Sequence, residues 1–303
     1  MKGAFRQRSK NKMSQKQKTS PLAVWQRVIG QEMTDRLMGL IMPNLVWNQE
    51  IYGDVLQSHL SQTTRWLDAG CGHRLLPHGL DKLVNDLVAI PQFIVGTDLS
   101  ILALRGNRWA HSVVAAQLDA LPFEDESFDL VTCNMVVEHL HNPAGSFMEL
   151  VRILRPQGRL IVHTPNLLNY AVCAGHVLKL LLPRRVFLRI LGWSDKRASE
   201  DIFPTFYRAN TRRKLCQLFR ELGLAQETCR MLVGPQPIFN FFAPVALLEI
   251  LIKKLLLLKP LKPFRTTILI SFRKPEGKPL LAGDTAARLG SGHEVQMEYG
   301  KQS

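Results

Sequence analysis

The stretch Arg65-Trp-Leu-Asp-Ala-Gly-Cys-Gly72 decides the fold of this 303-residue chain. Its first five residues form a short apolar run, which is typical of a buried parallel strand. Its last three residues indicate a sharp turn at which glycine lets the backbone approach a ligand without a Cβ clash. Because ligands bind outside the carboxyl ends of the strands in open α/β sheets, this turn is where we expect one.

Four further apolar runs follow, each separated from the next by a segment that can form a helix or a connection: Gln92–Asp98, Ser112–Leu118, Phe128–Cys133 and Arg159–Thr164. The clearest helix is predicted over Ala144–Leu154, with Asn142 as its N-cap. Pro156 and Gly158 provide its stop signal. Strands that alternate with helices at this spacing predict an α/β sheet with helices on both faces.

The formal net charge of +14 is distributed unevenly. Residues 1–19 carry +7, residues 20–150 carry −8, residues 151–275 carry +16 and residues 276–303 carry −1. Because charge asymmetry reports on partners and not on fold, the two halves are expected to serve different partners. A basic surface suits nucleic acid, a membrane face or an anionic substrate.

The cysteines and the apolar segments exclude several classes of protein. The five cysteines form no CxxC pair and no cluster with zinc spacing, so neither a disulfide framework nor a structural metal is predicted and a reducing cytosol is the expected compartment. Residues 167–191 and 238–258 are apolar but contain prolines and charges, whereas a spanning helix needs about 20 nearly uncharged residues. We predict that neither segment crosses a membrane.

Carboxylates follow the strand ends. Asp98 ends the second apolar run, where an acidic side chain can accept both hydroxyls of a ribose or can serve as a helix N-cap. Asp119 follows the third run, where it can accept a hydrogen bond from an adenine amino group. Gly70 and Gly72 would open a dinucleotide fingerprint, but Leu75 stands at the third glycine position, which weakens the case for NAD.

Five blocks in this order resemble the class I S-adenosylmethionine-dependent methyltransferases, particularly the small-molecule branch with the ubiquinone- and menaquinone-biosynthesis enzymes. The blocks are Leu67–Gly72, Val95–Ser100, Asp119–Val131, Val137–Leu140 and Glu149–Leu160. The resemblance implies a doubly wound, seven-stranded Rossmann-like α/β sheet, mostly parallel with an antiparallel last strand, plus helical acceptor-site insertions. Glu227–Val233 and Thr266–Phe272 are then predicted as the sixth and seventh strands.

The resemblance also implies S-adenosylmethionine as the cofactor and assigns ten residues to its site. Those implied at its methionine part and in the adjoining turn are Asp68, Ala69, Gly70, Cys71 and Gly72. Those implied at its ribose, at its adenine and in the pocket are Asp98, Leu99, Asp119, Ala120 and Asn134.

Methyl transfer from a sulfonium depends mainly on alignment, and a base is needed only if the acceptor must lose a proton. His139, His163 and Tyr207 are the candidates for that base. A structural role is the alternative, His139 ending the loop after the fourth strand and His163 being a satisfied core histidine. Some ubiquinone-pathway relatives carry an acidic residue where Met135 stands here, so no metal is predicted at the adjacent Glu-His pair.

The resemblance also organises the chain. We predict a disordered basic tail over residues 1–19, a methyltransferase domain over 20–275 and a flexible tail over 276–303. The parts predicted for the domain are N-terminal helices (20–62), a cofactor-binding half (63–166), an acceptor-site insertion (167–210) and C-terminal helices and strands (211–275), with the apolar segment 238–258.

The expected activity is methyl transfer to a small-molecule, lipid-linked or glycosyl acceptor, at oxygen, in the cytoplasm. His163-Thr-Pro-Asn166 departs from the Asn-Pro-Pro-aromatic motif of amino-methylating nucleic-acid enzymes, which argues against DNA. RNA is a weaker alternative because the basic half lacks interleaved aromatics, and a non-catalytic binding protein is another. Leu178–Arg189 and Leu247–Lys259 are typical of interfacial helices on an anionic membrane, or simply cover the sheet and pocket.

Overall fold

The computed structural model describes residues 36–170, 172–173, 204–234 and 243–277. The chain divides into two compact units, one of residues 1–44 and 236–254 and the other of residues 45–235 and 255–303. The predicted tail at 1–19, nearly all of the tail at 276–303 and most of the insertion at 167–210 lie outside the described residues, as does all of Leu178–Arg189. The predicted domain bounds therefore stay a prediction.

The unit of residues 45–235 and 255–303 is built on a seven-stranded sheet. Its strands are β1 (Arg65–Ala69), β2 (Phe93–Asp98), β3 (Ser112–Ala115), β4 (Phe128–Asn134), β5 (Leu154–Pro165), β6 (Ala225–Leu232) and β7 (Thr267–Arg273). Its helices include α1 (Asn48–Gln57), α2 (Asp81–Val88), α3 (Ile101–Gly106), α4 (Pro143–Arg152) and α5 (Arg212–Glu221). Helix α6 (Ala243–Leu256) lies mostly in the other unit. Val137–His139 and Lys259–Phe264 form short 3₁₀ helices.

The strand order is β3-β2-β1-β4-β5-β7-β6, in which β1 to β5 are parallel and β7 runs antiparallel to both of its neighbours. This confirms the predicted fold class, a doubly wound α/β sheet with an antiparallel last strand. After β3 the chain crosses back to place β4 on the other side of β1. A crevice for ligands forms at such a switch point, outside the carboxyl ends of the strands.

Helix α4 forms for the reasons that its sequence suggests. The side chain of Asn142 accepts a hydrogen bond from the Gly145 N–H at 3.2 Å, and Pro143 occupies the first turn. The helix ends at Arg152 because β5 begins at Leu154, which pairs with Phe128 of β4. The predicted stop residues thus lie inside a strand that starts earlier than expected.

The prediction of a buried third strand over Ser112–Leu118 was wrong in two respects. The strand ends at Ala115, and Ser112, Val113 and Ala115 are exposed. The reason is its position, because β3 lies at the edge of the sheet and pairs only with β2. An apolar run therefore predicts that a strand is present, but it does not predict whether both faces of that strand are buried.

Two apolar clusters cover the two faces of the sheet. One includes Phe147 of α4, Phe219 of α5 and Phe272 of β7, with ring centroids 4.3 Å and 4.5 Å apart along the series. The other packs Tyr52 and Leu56 of α1 with residues of β1, α2 and β5. Among the described residues, no helix combines the length and apolar character needed to cross a membrane.

We expect the Phe219→Ala substitution to lower the free energy of unfolding by about 3–5 kcal/mol, because it removes the central ring of a fully buried aromatic series. Chemical denaturation measures the change. Phe264→Ala is the matched control, since that ring is about half exposed and its loss should cost less than about 1 kcal/mol. Equal losses for the two variants would contradict this packing.

Candidate active site

The turn after β1 has a backbone that suits glycine. Gly70 and Gly72 have φ values of 75° and 52°, in the left-handed region. A Cβ on Gly70 would lie 2.3 Å from a methyl carbon of Val136, whereas a Cβ on Gly72 would meet nothing within 4 Å. Packing therefore explains Gly70, while the space in front of Gly72 leaves the backbone open to a ligand.

The same turn is held by the end of β2. The N–H groups of Gly70 and Cys71 both donate to the Thr97 carbonyl, at 2.7 and 2.9 Å. The Gly72 N–H donates to Oδ2 of Asp98 at 2.9 Å, and the Asn107 amide donates to the Gly72 carbonyl at 3.0 Å. Sequence reasoning missed Asn107, whose place directly after α3 suggests only a helix C-cap.

Asp98 keeps acceptor capacity after holding the turn. Its Oδ1 accepts from the Ser100 N–H at 2.8 Å, and Ser100 itself caps α3 by accepting from the Ala103 N–H. The alternative of Asp98 as the N-cap was therefore wrong. An ionised carboxylate has about four acceptor positions. Two are used by Gly72 and Ser100 among the described residues, so the remainder fit the two hydroxyls of a ribose.

Asp68 is a buried carboxyl beside the turn. The Thr132 hydroxyl donates to its Oδ1 at 2.8 Å, and the Trp66 indole donates to that hydroxyl at 2.8 Å. Burial raises the pKa of Asp68 to about 7, against the effect of the Thr132 hydrogen bond. A cation bound nearby would favour the ionised form, which fits the cationic methionine part of the implied cofactor. The neighbouring Ala69 is buried at the end of β1.

The residues implied at the adenine lie at the same end of the sheet and are accessible. Leu99 directly follows β2 and has 59% of its surface exposed. Asp119 and Ala120, in the connection after β3, are also exposed. An exposed leucine and an exposed carboxylate there can contact the face and the amino edge of a base.

The connection that carries Asp119 is held by α4. Glu149 accepts from the Leu121 N–H at 2.9 Å, and Arg152 donates to the Phe123 carbonyl at 2.7 Å. Arg152 also forms an ion pair with Asp125 at 2.8 Å. Two of the five sequence blocks thus meet in space, and the second positions the first.

Asn134, at the end of β4, belongs to a buried polar network. Its Oδ1 accepts from Nδ1 of His163 at 2.9 Å, and Nε2 of His163 lies 3.2 Å from the Thr267 hydroxyl. Gln49 and Asn134 exchange amide hydrogen bonds at 3.0 and 3.3 Å. The network lies at the carboxyl ends of β4 and β5 and at the start of β7.

Helix α1 completes that network with residues that sequence reasoning missed. Asn48 donates to the Thr267 hydroxyl at 2.8 Å, and the ring of Tyr52 stacks on His163 with centroids 5.6 Å apart. Asn48 Oδ1 is buried without a hydrogen-bond partner in the described structure. The available signal was the polar Asn48-Gln49 pair at the start of an otherwise apolar helix face.

The 3₁₀ helix after β4 holds the far end of the insertion. The Glu138 carbonyl accepts from the N–H groups of Phe206 and Tyr207 at 2.7 and 3.2 Å. Nδ1 of His139 lies 3.0 Å from the Pro204 carbonyl, so this nitrogen carries the proton. Residues 204–207 are therefore attached to the loop that follows β4.

The two ends of the insertion also meet. The Leu167 N–H donates to the Asn210 carbonyl at 2.7 Å. The Asn210 amide donates to the Thr164 hydroxyl at 2.7 Å, and that hydroxyl donates to Glu138 at 2.9 Å. Burial raises the pKa of Glu138, although its hydrogen bonds and the charge of His139 act in the opposite direction.

The three candidate bases have different environments. Burial lowers the pKa of His163 to about 4, and both of its ring nitrogens lie within hydrogen-bond distance of a neighbour, as expected of a structural histidine. Burial, followed by the charge of Glu138, raises the pKa of Tyr207, so this phenol keeps its proton near neutral pH. His139 is partly exposed, with Nε2 3.9 Å from a Glu138 carboxylate oxygen. The catalytic roles of all three stay predictions.

No group of three or more His, Cys, Asp or Glu side chains suited to a metal ion occurs in the described part of the chain. Glu138 and His139 are adjacent, and Met135 supplies no hard oxygen ligand beside them.

Comparisons with known proteins show similarity to methyltransferases in the part of the chain that carries this site. The Methyltransferase domain family matches residues 67–162. A probable S-adenosylmethionine-dependent methyltransferase of Mycobacterium tuberculosis is 35% identical over 106 residues, covering 35% of this chain and 37% of the relative. A ubiquinone biosynthesis O-methyltransferase of Xanthomonas oryzae is 30% identical over 130 residues, covering 40% and 52%. The chain spans about half or less of the length of these two relatives.

A solved chain from the Haloferax volcanii complex of the Trm112 methyltransferase activator with a methyltransferase has a TM-score of 0.51. The two chains are 16% identical, and the match covers 82% of this chain and 98% of the solved chain. This likeness shows the fold alone. The sheet order, its switch point and the glycine turn define a Rossmann-like α/β fold. Residues 67–162 match the Methyltransferase domain family, and for this part of the chain the predicted resemblance to S-adenosylmethionine-dependent methyltransferases and the predicted cofactor are confirmed.

We expect Asp68→Asn to change how stability depends on pH. The folded wild type holds the Asp68 proton up to about pH 7, whereas the unfolded chain releases it near pH 3.8, so rising pH destabilises the folded state between these values. The amide lacks this dependence. The free energy of unfolding of the variant, relative to wild type, should therefore rise by a few kcal/mol between pH 4.5 and 7.5, at about 1.4 kcal/mol per unit.

Denaturant titrations at the two pH values measure this difference. Asp86→Asn is the control, because Asp86 is exposed on α2. The free energy of unfolding of this control, relative to wild type, should be the same at both pH values. A difference between Asp68→Asn and wild type that is the same at both pH values would show that Asp68 titrates normally.

Proposed function

We propose that this protein transfers a methyl group from S-adenosylmethionine to oxygen on a small-molecule, lipid-like or glycosyl acceptor. The carrying observation is the convergence of the open Gly72 backbone with the Asp98 carboxylate, which are joined by a 2.9 Å hydrogen bond at the switch point of the sheet. The name of the Xanthomonas oryzae relative, a ubiquinone biosynthesis O-methyltransferase, supports oxygen as the target atom.

In this proposal each residue of the site binds a different part of the cofactor. When bound, S-adenosylmethionine supplies a methyl group activated by its sulfonium. Asp98 holds the ribose, while Leu99 and Asp119 contact the adenine. Asp68 faces the cationic methionine part, where its ionised form is favoured.

The proposed acceptor position lies beside the network of α1, β4, β5 and β7. Asn48 contributes a buried carbonyl oxygen without a described partner, and Asn134 ends the strand next to β1. An acceptor hydroxyl placed there would find an amide that can accept its hydrogen bond. Holding that hydroxyl at reacting distance is the main requirement of the reaction, and His139 is the proposed base for acceptors that must lose a proton.

Calorimetry with S-adenosylhomocysteine tests the cofactor site. We expect wild type to bind and Asp98→Ala to bind at least about tenfold more weakly, because hydrogen bonds from the ribose to a charged acceptor are lost. Asp86→Ala removes the same charge from the exposed surface of α2 and should leave binding unchanged. Undiminished binding by folded Asp98→Ala, checked by circular dichroism, would contradict the proposed site.

Transfer of labelled methyl into a cell extract tests the reaction itself. We expect label in a low-molecular-weight fraction, and hydrolysis of the labelled product distinguishes an O-methyl from an N-methyl group. Incorporation into RNA or DNA would overturn the proposed acceptor class, and binding of S-adenosylhomocysteine without any label transfer would favour a non-catalytic protein.

We further propose that residues 255–264 rest on an anionic membrane surface, on the cytoplasmic side. Their exposed apolar side chains include Leu255, Leu258 and Phe264, which have 55%, 54% and 47% of their surface exposed. Lys259 and Lys262 are exposed between them. Aliphatic groups interleaved with cations complement the headgroup zone of an anionic bilayer, and each lysine near it contributes about 1 kcal/mol.

Flotation with phosphatidylglycerol vesicles tests this contact. We expect salt-sensitive binding of wild type, and loss of binding in the triple variant Leu255→Ser, Leu258→Ser and Phe264→Ser. The control variant Leu102→Ser, Val113→Ser and Met148→Ser removes exposed apolar side chains elsewhere and should still float. Recovery of all wild-type protein in the unbound fraction would exclude the proposed contact.

A further inference from the structure

A second concave site lies away from the cofactor turn. It is a cleft of about 1020 Å³ between α5, β6 and the 3₁₀ helix Lys259–Phe264. Five cationic residues line it, namely Arg212, Arg213, Arg220, Lys259 and Lys262. We call this site the basic cleft.

The sequence spacing explains why cations of the same helix line the same cleft. Arg212 and Arg220 lie eight residues apart on α5, which places them on one face of the helix about two turns apart. Lys259 and Lys262 lie three residues apart in a 3₁₀ helix, where side chains at this spacing align one above the other. Two helices thus contribute cations to the lining of the same cleft.

The charge of the basic cleft is not neutralised in the described structure. No carboxylate lines it, and none of its five cations forms an ion pair with a described residue. Glu227 of the neighbouring β6 is instead paired with Arg159 at 2.9 Å. Since like charges held together repel, an anionic ligand would relieve the repulsion.

The lining residues also indicate the chemistry of that ligand. Arginine forks bind phosphoryl oxygens in pairs, and lysines add point charges, so a group with several phosphoryl oxygens suits the set. No aromatic side chain is found among the described residues that line the cleft, and these residues therefore offer no stacking surface of the kind that single-stranded nucleic acids use. We propose that the basic cleft binds the phosphate or diphosphate group of a ligand, whether free in solution or part of a lipid headgroup.

This proposal does not rest on methyl transfer. The cofactor turn follows β1, whereas the cleft adjoins the edge strand β6, and β4, β5 and β7 lie between these strands in the sheet. Asp98→Ala should therefore retain binding at the cleft. Substitutions in the cleft should in turn leave binding of S-adenosylhomocysteine unchanged.

Calorimetry with inorganic pyrophosphate tests the proposal. We expect wild type to bind, and the double variant Arg213→Ala and Lys262→Ala to bind at least about tenfold more weakly, since two charge-assisted hydrogen bonds are lost. The control is the double variant Lys214→Ala and Arg230→Ala. It removes one exposed cation from α5 and one from β6, and neither side chain lines the cleft. Its affinity should match that of wild type.

A second arm identifies the source of the phosphate. Vesicles with phosphatidic acid are compared with phosphatidylserine vesicles of equal surface charge. A preference for phosphatidic acid that only the cleft variant loses supports a lipid headgroup, whereas pyrophosphate binding without this preference supports a soluble phosphorylated ligand. Equal weakening by the two double variants, or no cleft-dependent binding in either arm, would overturn the proposal.

Discussion

The hydrogen bonds between the glycine turn and the end of β2 are the constraint on which this site depends. Two successive N–H groups share the Thr97 carbonyl, and a third binds the Asp98 carboxylate. The end of β1 and the end of β2 are thereby fixed as one unit. Because buried backbone donors must find partners, the sharp turn satisfies its own polar groups while leaving Gly72 accessible.

Side chains of α4 likewise fix the connection that follows β3. Glu149 and Arg152 together bind Leu121, Phe123 and Asp125, so the segment after β3 is held by charge-assisted hydrogen bonds. The Glu149–Arg152 pair lowers the pKa of Glu149, which keeps the carboxylate ionised as an acceptor. Two of the blocks that carry the family resemblance, Asp119–Val131 and Glu149–Leu160, are separate in sequence but are joined by these hydrogen bonds in the structure.

The sequence pattern predicted an α/β sheet because its signals are local and strong, whereas the seven strands and the antiparallel last strand were implied by the family resemblance. Apolar runs, the glycine turn and the capped α4 helix specify strands and turns within a few residues. It predicted β3 poorly, since exposure depends on neighbours that the strand itself does not encode. The polar Asn48-Gln49 pair was the available signal on α1, but the partners of Asn48, Gln49 and Tyr52 were not predictable, because they depend on how α1 packs over strands up to 219 residues away in sequence.

The junction between Leu167 and Asn210 affects how the sequence of this protein can change. The backbone hydrogen bond there brings both ends of the intervening stretch to the rim of the sheet. The entropy of closing a flexible loop grows only with the logarithm of its length, by about 0.6 kcal/mol for each doubling. Segments of quite different length and composition can therefore replace one another at this junction with little cost to the folded core. The junction therefore allows the segment between Leu167 and Asn210 to be exchanged while the sheet and its glycine turn keep their structure.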